Sequence, residues 1–161
     1  LRQLVFDDLF QEEITLTEVV CDSQAAFFKQ FAEILTREGY VAPSFETAII
    51  ERERVFPTGL EMNGITIAIP HTDTMHVKRP FVAVSKLAKP LSFVQMGTTD
   101  KWVDAEMIFI LGIKDAAGQV PLLATMMEKF ADEMFVETLR QQEQPQELVT
   151  FLKKQFGRVT K

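Results

Sequence analysis

Met107-Ile108-Phe109-Ile110-Leu111-Gly112-Ile113 is the most hydrophobic run in the chain, and it carries no charge. It is far shorter than the ~18 apolar residues that a membrane span requires, but long enough for a central strand covered on both faces. Such a strand needs covering layers, and the flanking sequence supplies them. Residues 114–118 make a turn. Beyond it Leu122, Leu123, Met126, Met127 and Phe130 recur at helical spacing in a helix read from Gln119, and helices follow at 133–140 and 146–156. Upstream, 81–87 and 65–69 read as strands, the second delivering Pro70-His71 at its carboxyl end. Further back, 14–20 is rich in Ile, Thr and Val and leads into Asp22-Ser23, either of which can cap the next helix. In that helix Phe27, Phe28, Phe31, Ile34 and Leu35 form the apolar stripe and Gly39 the stop. Pro43 suits the first turn of a second helix, which runs through Glu51-Arg52-Glu53-Arg54 and ends at Pro57 and Gly59. Strands mixed with helices at both ends predict a layered α/β domain with helices on the sheet faces.

The rest of the composition narrows the class. At 161 residues and 47% hydrophobic, the chain is expected to form one domain over residues 1–161, since its Gly and Pro are scattered and no linker or repeat interrupts it. A net charge of −6 disfavours nucleic acid as a partner. No apolar run approaches membrane-spanning length, and Asp7, Asp8, Glu12 and Glu13 do not fit a signal peptide, so a soluble cytosolic product is expected. Cys21 is the single cysteine, which excludes an internal disulfide.

Both histidines, His71 and His76, fall in Pro70-His71-Thr72-Asp73-Thr74-Met75-His76. A histidine just past a buried strand is held rigidly yet stays reachable from solvent, as a nucleophile must be. Imidazole is largely neutral at cytosolic pH and can attack phosphorus without an elaborate base. Position alone equally allows an ordinary loop histidine.

The flanking residues add a resemblance. Gly64-Ile65-Thr66-Ile67-Ala68-Ile69-Pro70-His71 resembles the G-x-x-I-A-[IV]-P-H segment of fructose- and mannitol-type IIA proteins of the bacterial sugar phosphotransferase system. Glu51-Arg52-Glu53 and Phe56-Pro57-Thr58-Gly59 resemble that family's E-R-E and Pro-Thr-Gly elements, in the same order and at nearly the same spacing. With His76 five residues after His71, the chain looks most like the galactitol-type branch. The resemblance covers almost the whole chain and implies a three-layer domain with a central mixed sheet flanked by helices.

It also implies a phosphoryl carrier. His71 would accept phosphate from the histidine-containing phosphocarrier protein and pass it to a cysteine of a cognate IIB subunit, serving uptake of a sugar or polyol, galactitol included, through a membrane IIC subunit. No cofactor or metal is implied, and no insertion into the membrane. Arg52 takes the place of the arginine beside the phosphohistidine, where a guanidinium offers paired donors to a dianion. Read without the resemblance, Arg52 fits better a charged helix face with Glu51, Glu53 and Arg54. Family members usually carry a second histidine after the central strand, where this chain has Gln119, an uncharged hydrogen-bonding helper. Thr58 and Thr72 could hydrogen-bond phosphoryl oxygens or the imidazole. Asp73 is left outside the expected site because its charge would repel phosphate, and His76 is placed on the rim. Met75, Phe93 and Met96 are candidate apolar contact residues for partners, each of which could instead belong to the core. Two alternatives are a regulatory IIA-like phosphoacceptor controlling a target protein, and a metal-dependent hydrolase using His71, Asp73 and His76.

Overall fold

The computed structural model describes residues 6–62 and 64–157, with the backbone alone at 116, 118 and 119. The chain runs β1 (Thr15–Val19), α1 (Gln24–Arg37), α2 (Phe45–Val55), β2 (Gly59–Met62), β3 (Ile65–Ala68), β4 (Phe81–Val94), β5 (Trp102–Gly112), α3 (Ala116–Phe130), α4 (Glu133–Gln141) and α5 (Pro145–Phe156). The strands form one sheet in the order β1-β4-β5-β3-β2. It is mixed: β4–β5 and β2–β3 are antiparallel, and β1–β4 and β3–β5 are parallel.

The expected central strand is β5, and its sequence explains the layers. Met107, Phe109 and Leu111 face Leu122, Met126, Phe130, Phe135 and Leu152 of α3, α4 and α5. Ile108 and Ile110 face Phe27, Phe31, Phe45 and Ile49 of α1 and α2. All five strand residues are buried to 2% exposure or less. At ~1.5–3 kcal/mol for each side chain, this run contributes on the order of 10 kcal/mol, as much as the typical net stability of a domain. That is why the run tolerates no charge.

Helix ends follow local chemistry. Ser23 Oγ accepts the Ala26 N–H at 3.1 Å to start α1, and Gly39 ends the turn after it at φ +84°, where a Cβ would be strained.

Four boundaries differ from the sequence reading. Helix α2 begins at Phe45 with Ser44 at its N-cap, so Pro43 precedes the first turn. Strand β4 does not stop at Leu87 but continues to Val94, past an irregularity between Lys86 and Leu91 that accommodates Pro90, the residue that made the run look finished. Gly59 does not merely follow a helix end; it opens β2, a four-residue strand too short to show periodicity. Only Asn63 and Gly64 lie between β2 and β3, and Gly64 has φ +88°, so the Asn-Gly pair was the available hairpin signal. Helix α3 begins at Ala116, because the Asp115 side chain accepts the Ala117 N–H at 3.0 Å; Pro121 lies inside the helix and not in its first turn. No helix of the described residues is long and apolar enough to cross a membrane.

Candidate functional site

The site forms where the parallel pair β3 and β5 ends. Past Ala68 the backbone remains tied on both sides up to the histidine. Ile69 N–H donates to Thr58 O at 3.2 Å, and Leu111 N–H donates to Pro70 O at 2.9 Å. His71 itself bridges to Leu111 in parallel register. The next residue of β5, Gly112, lies under the buried Phe81 ring, where an added Cβ would sit 2.0 Å from a ring carbon.

Backbone geometry then sets the imidazole. His71 Nδ1 lies 2.9 Å from Ile69 O. A carbonyl only accepts, so Nδ1 carries the proton and the neutral ring keeps its lone pair on Nε2. Burial pushes the ring below its ordinary value of 6.5; the Ile69 hydrogen bond pulls it back, and the charge of Arg52 adds to the lowering. The half-buried His71 is therefore uncharged at neutral pH, with one nucleophilic nitrogen.

Arg52, in the last turn of α2, turns away from the charges of its own helix. Glu51 is taken by Arg54 at 2.6 Å, whereas Arg52 Nη1 donates to Asp73 Oδ1 at 3.1 Å and its guanidinium lies 4.8 Å from the centroid of the Phe56 ring. Arg52 Nε is enclosed and has no acceptor among the described residues. The charged-face reading of Arg52 thus fails. The structure brings Arg52 to the histidine loop.

Asp73 enters the site through that ion pair, although the sequence reading left it out. The pairing joins residues far apart in sequence, and no local pattern announces it. Glu53 was missed for another reason: in a charged run it reads as solvated. Its side chain is in fact only 4% exposed, and its carboxylate accepts Thr58 N–H at 2.7 Å and Thr58 Oγ–H at 2.8 Å. Burial pushes its carboxyl up to about 7, against the lowering by both Thr58 bonds. Thr58 is buried, and its hydroxyl proton goes to Glu53 and not toward the imidazole. Thr72 is buried beside His71.

The other candidates separate. His76 Nδ1 lies 2.8 Å from Ser44 Oγ, at the start of α2, whereas the Arg52–Asp73 pair is made from the last turn of that helix. The loop is stitched there by Ala42 N–H to His76 O at 3.0 Å and by Lys114 Nζ to Val77 O at 2.8 Å. His71, Asp73 and His76 therefore each have a different neighbour, and no group of three or more His, Cys, Asp or Glu among the described residues could hold a metal. Gln119 falls in the first turns of α3, but its side chain lies outside the described residues. Met75 is 76% exposed and Met96 is 40% exposed. Phe93 is not: it is fully buried, edge-on to Phe28, because the extended β4 turns it into the core.

A family model described as "Phosphoenolpyruvate-dependent sugar phosphotransferase system, EIIA 2" matches residues 8–155. The galactitol-specific EIIA component of the PTS system of Escherichia coli (strain K12) is 29% identical over 119 residues, which cover 70% of this chain and 79% of that protein. Among solved structures, the nitrogen regulatory protein IIA-Ntr from Neisseria meningitidis superimposes with a TM-score of 0.74 at 22% identity, covering 91% of this chain and 98% of that one. The enzyme IIAMtl in complex with phosphorylated enzyme IIBMtl, from Escherichia coli, does so with a TM-score of 0.70 at 19% identity, covering 90% and 97%. These two likenesses show a shared fold.

Proposed function

Because the chain belongs to the EIIA 2 family of phosphoenolpyruvate-dependent sugar phosphotransferase systems, and is thus a phosphotransferase component, we propose that His71 Nε2 is the atom that carries the phosphoryl group. The observation that supports this most is the Nδ1 hydrogen bond to Ile69 O, which leaves one lone pair on a neutral, rigidly held ring.

The chemistry is a pair of in-line displacements. In the first, the Nε2 lone pair attacks phosphorus while the nitrogen–phosphorus bond of a phosphohistidine on the phosphocarrier protein breaks, its electron pair staying on the donor imidazole. In the second, a cysteine thiolate of the IIB subunit attacks, and the electron pair returns to Nε2. Positioning and charge stabilisation supply most of such catalysis. Arg52 is the cation for this: it needs only to release Asp73 to meet the phosphoryl oxygens, and its fork can offer two donors. Exposed Met75 and Met96 give a docking partner apolar anchors. The likeness to the galactitol-specific component supports a IIB subunit of a polyol system as the acceptor.

The test is incubation with phosphoenolpyruvate, enzyme I and the phosphocarrier protein. One acid-labile, base-stable phosphoryl group should appear, be lost in His71→Ala, and be discharged by the IIB subunit. Labelling of His71→Ala to the wild-type extent would move the assignment to His76.

A further inference from the structure

Four hydrogen bonds run from the interior of α2 to the imidazole. Glu53 accepts Thr58 N–H at 2.7 Å and Thr58 Oγ–H at 2.8 Å; Thr58 O accepts Ile69 N–H at 3.2 Å; Ile69 O accepts His71 Nδ1–H at 2.9 Å. The first residue in this series is a carboxylic acid buried to 4% exposure, a placement that costs several kcal/mol unless something specific offsets it. A hydrophobic residue would fill the space at less cost. What it could not do is take both donors of Thr58, the residue just before β2 begins.

We propose that Glu53 is a positioning residue for His71: by clamping Thr58 it fixes Ile69, whose carbonyl dictates which ring nitrogen bears the proton. The inference rests on His71 being the phosphoryl acceptor for its functional meaning, but the linkage itself does not. Glu53 and Arg52 are consecutive, so one turn of α2 controls both sides of the histidine. Arg52 reaches the loop after it, and Glu53 reaches the turn that braces the strand before it.

Among the described residues no ion pair is made to Glu53, although Arg54 of its own helix lines the cleft beside it. That cleft, of about 470 Å³, is lined also by Gln24 of α1 and by Thr98, Thr99 and Trp102 at the β4–β5 end. Arg54 is held by Glu51, and Arg52 by Asp73. Thr58 is therefore the hydrogen-bond partner that Glu53 has among the described residues.

The experiment reads the ring of His71 directly, in the unphosphorylated full chain labelled with nitrogen-15. Two-bond proton–nitrogen correlations give its tautomer and titration midpoint, independently of any phosphotransfer. Wild type should show the Nδ1–H form. Glu53→Ala should show a mixture of tautomers and accept phosphoryl from the phosphocarrier protein about tenfold more slowly. Glu53→Gln can accept Thr58 N–H through its amide oxygen while its NH₂ donates to Thr58 Oγ, and should restore both the Nδ1–H signature and most of the rate. A folded Glu53→Ala whose His71 keeps the wild-type tautomer and midpoint overturns the proposal, whatever its transfer rate. If Glu53→Ala does not fold, Thr58→Val decides: it removes only the hydroxyl link, and a His71 spectrum identical to wild type overturns the proposal, whereas a shifted tautomer population supports it. A wild type that shows the expected tautomer but never takes phosphoryl would refute the acceptor assignment and leave the linkage standing.

Discussion

At His71, burial and the nearby Arg52 charge both oppose protonation, and the Ile69 carbonyl only partly offsets them. The ring must be neutral to attack phosphorus, so its lowered value moves the acid limb of transfer below pH 6.5. Transfer rates measured between pH 5 and 8, corrected for the donor with a second acceptor, should be flat near neutrality; a limb centred at or above 6.5 would contradict the buried, neutral ring. Asp73 holds the cation that a phosphoryl group would need, in a pair exposed enough to be worth only ~0.2–1 kcal/mol. Asp73→Asn should therefore shift the phosphoryl equilibrium toward His71 by about two- to fivefold, read as the phosphorylated fraction at fixed donor ratio. Arg52→Ala should slow transfer by about a hundredfold with the thermal midpoint nearly unchanged, and Arg52→Lys should recover only part, since an ammonium lacks the fork. The placement of His71 was legible in sequence because a strand end marks it, whereas Arg52 was singled out only by the resemblance. Asp73 and Glu53 were not legible, because their environment is made by residues that only folding brings near: a distant guanidinium for one, enclosure by the turn at Thr58 for the other.

Element by element, legibility tracked length and burial. The uninterrupted apolar run of β5 declared itself, as did the amphipathic α1, whereas β2 offered four residues and the exposed middle of β4 offered Lys89-Pro90 in place of a pattern. Helix α3 begins at Ala116, three residues before the expected Gln119, because the local instruction is the Asp115 cap. Asp115→Ala should cost about 1 kcal/mol by urea unfolding. Gly112 ties element to site. A methyl there meets the Phe81 ring at 2.0 Å, and Phe81 pairs with Gly112 across the β4–β5 ladder, so the strand cannot yield without disturbing its neighbour Leu111 and the bond to Pro70. Gly112→Ala should destabilise the protein by about 1–3 kcal/mol and slow transfer as well. An unchanged urea midpoint would show that the ring simply moves aside.

For the whole molecule, the layering was legible because the sheet is apolar on both faces and the two helix sets carry matching stripes. The electrostatics of the interior was not. A carboxyl whose folded value is raised from 4.5 to about 7 keeps its proton in the folded chain at pH values where the unfolded chain has lost it, so its contribution is fully present below about pH 4.5 and is lost as the pH rises through about 7. The loss is on the order of 3 kcal/mol. Urea unfolding at pH 5 and pH 8 should show this decline in wild type and a flatter profile in Glu53→Gln; equal slopes would place Glu53 in contact with solvent. The site's hydrogen bonds have one more consequence. Except for Leu111, every participant lies within residues 52–73, so the constellation closes through short loops, whose entropic cost is small and grows only logarithmically with length. Most of the reactive centre can thus assemble from near neighbours along the chain, leaving to the distant strand β5 the pairing of Leu111 with Pro70 and His71.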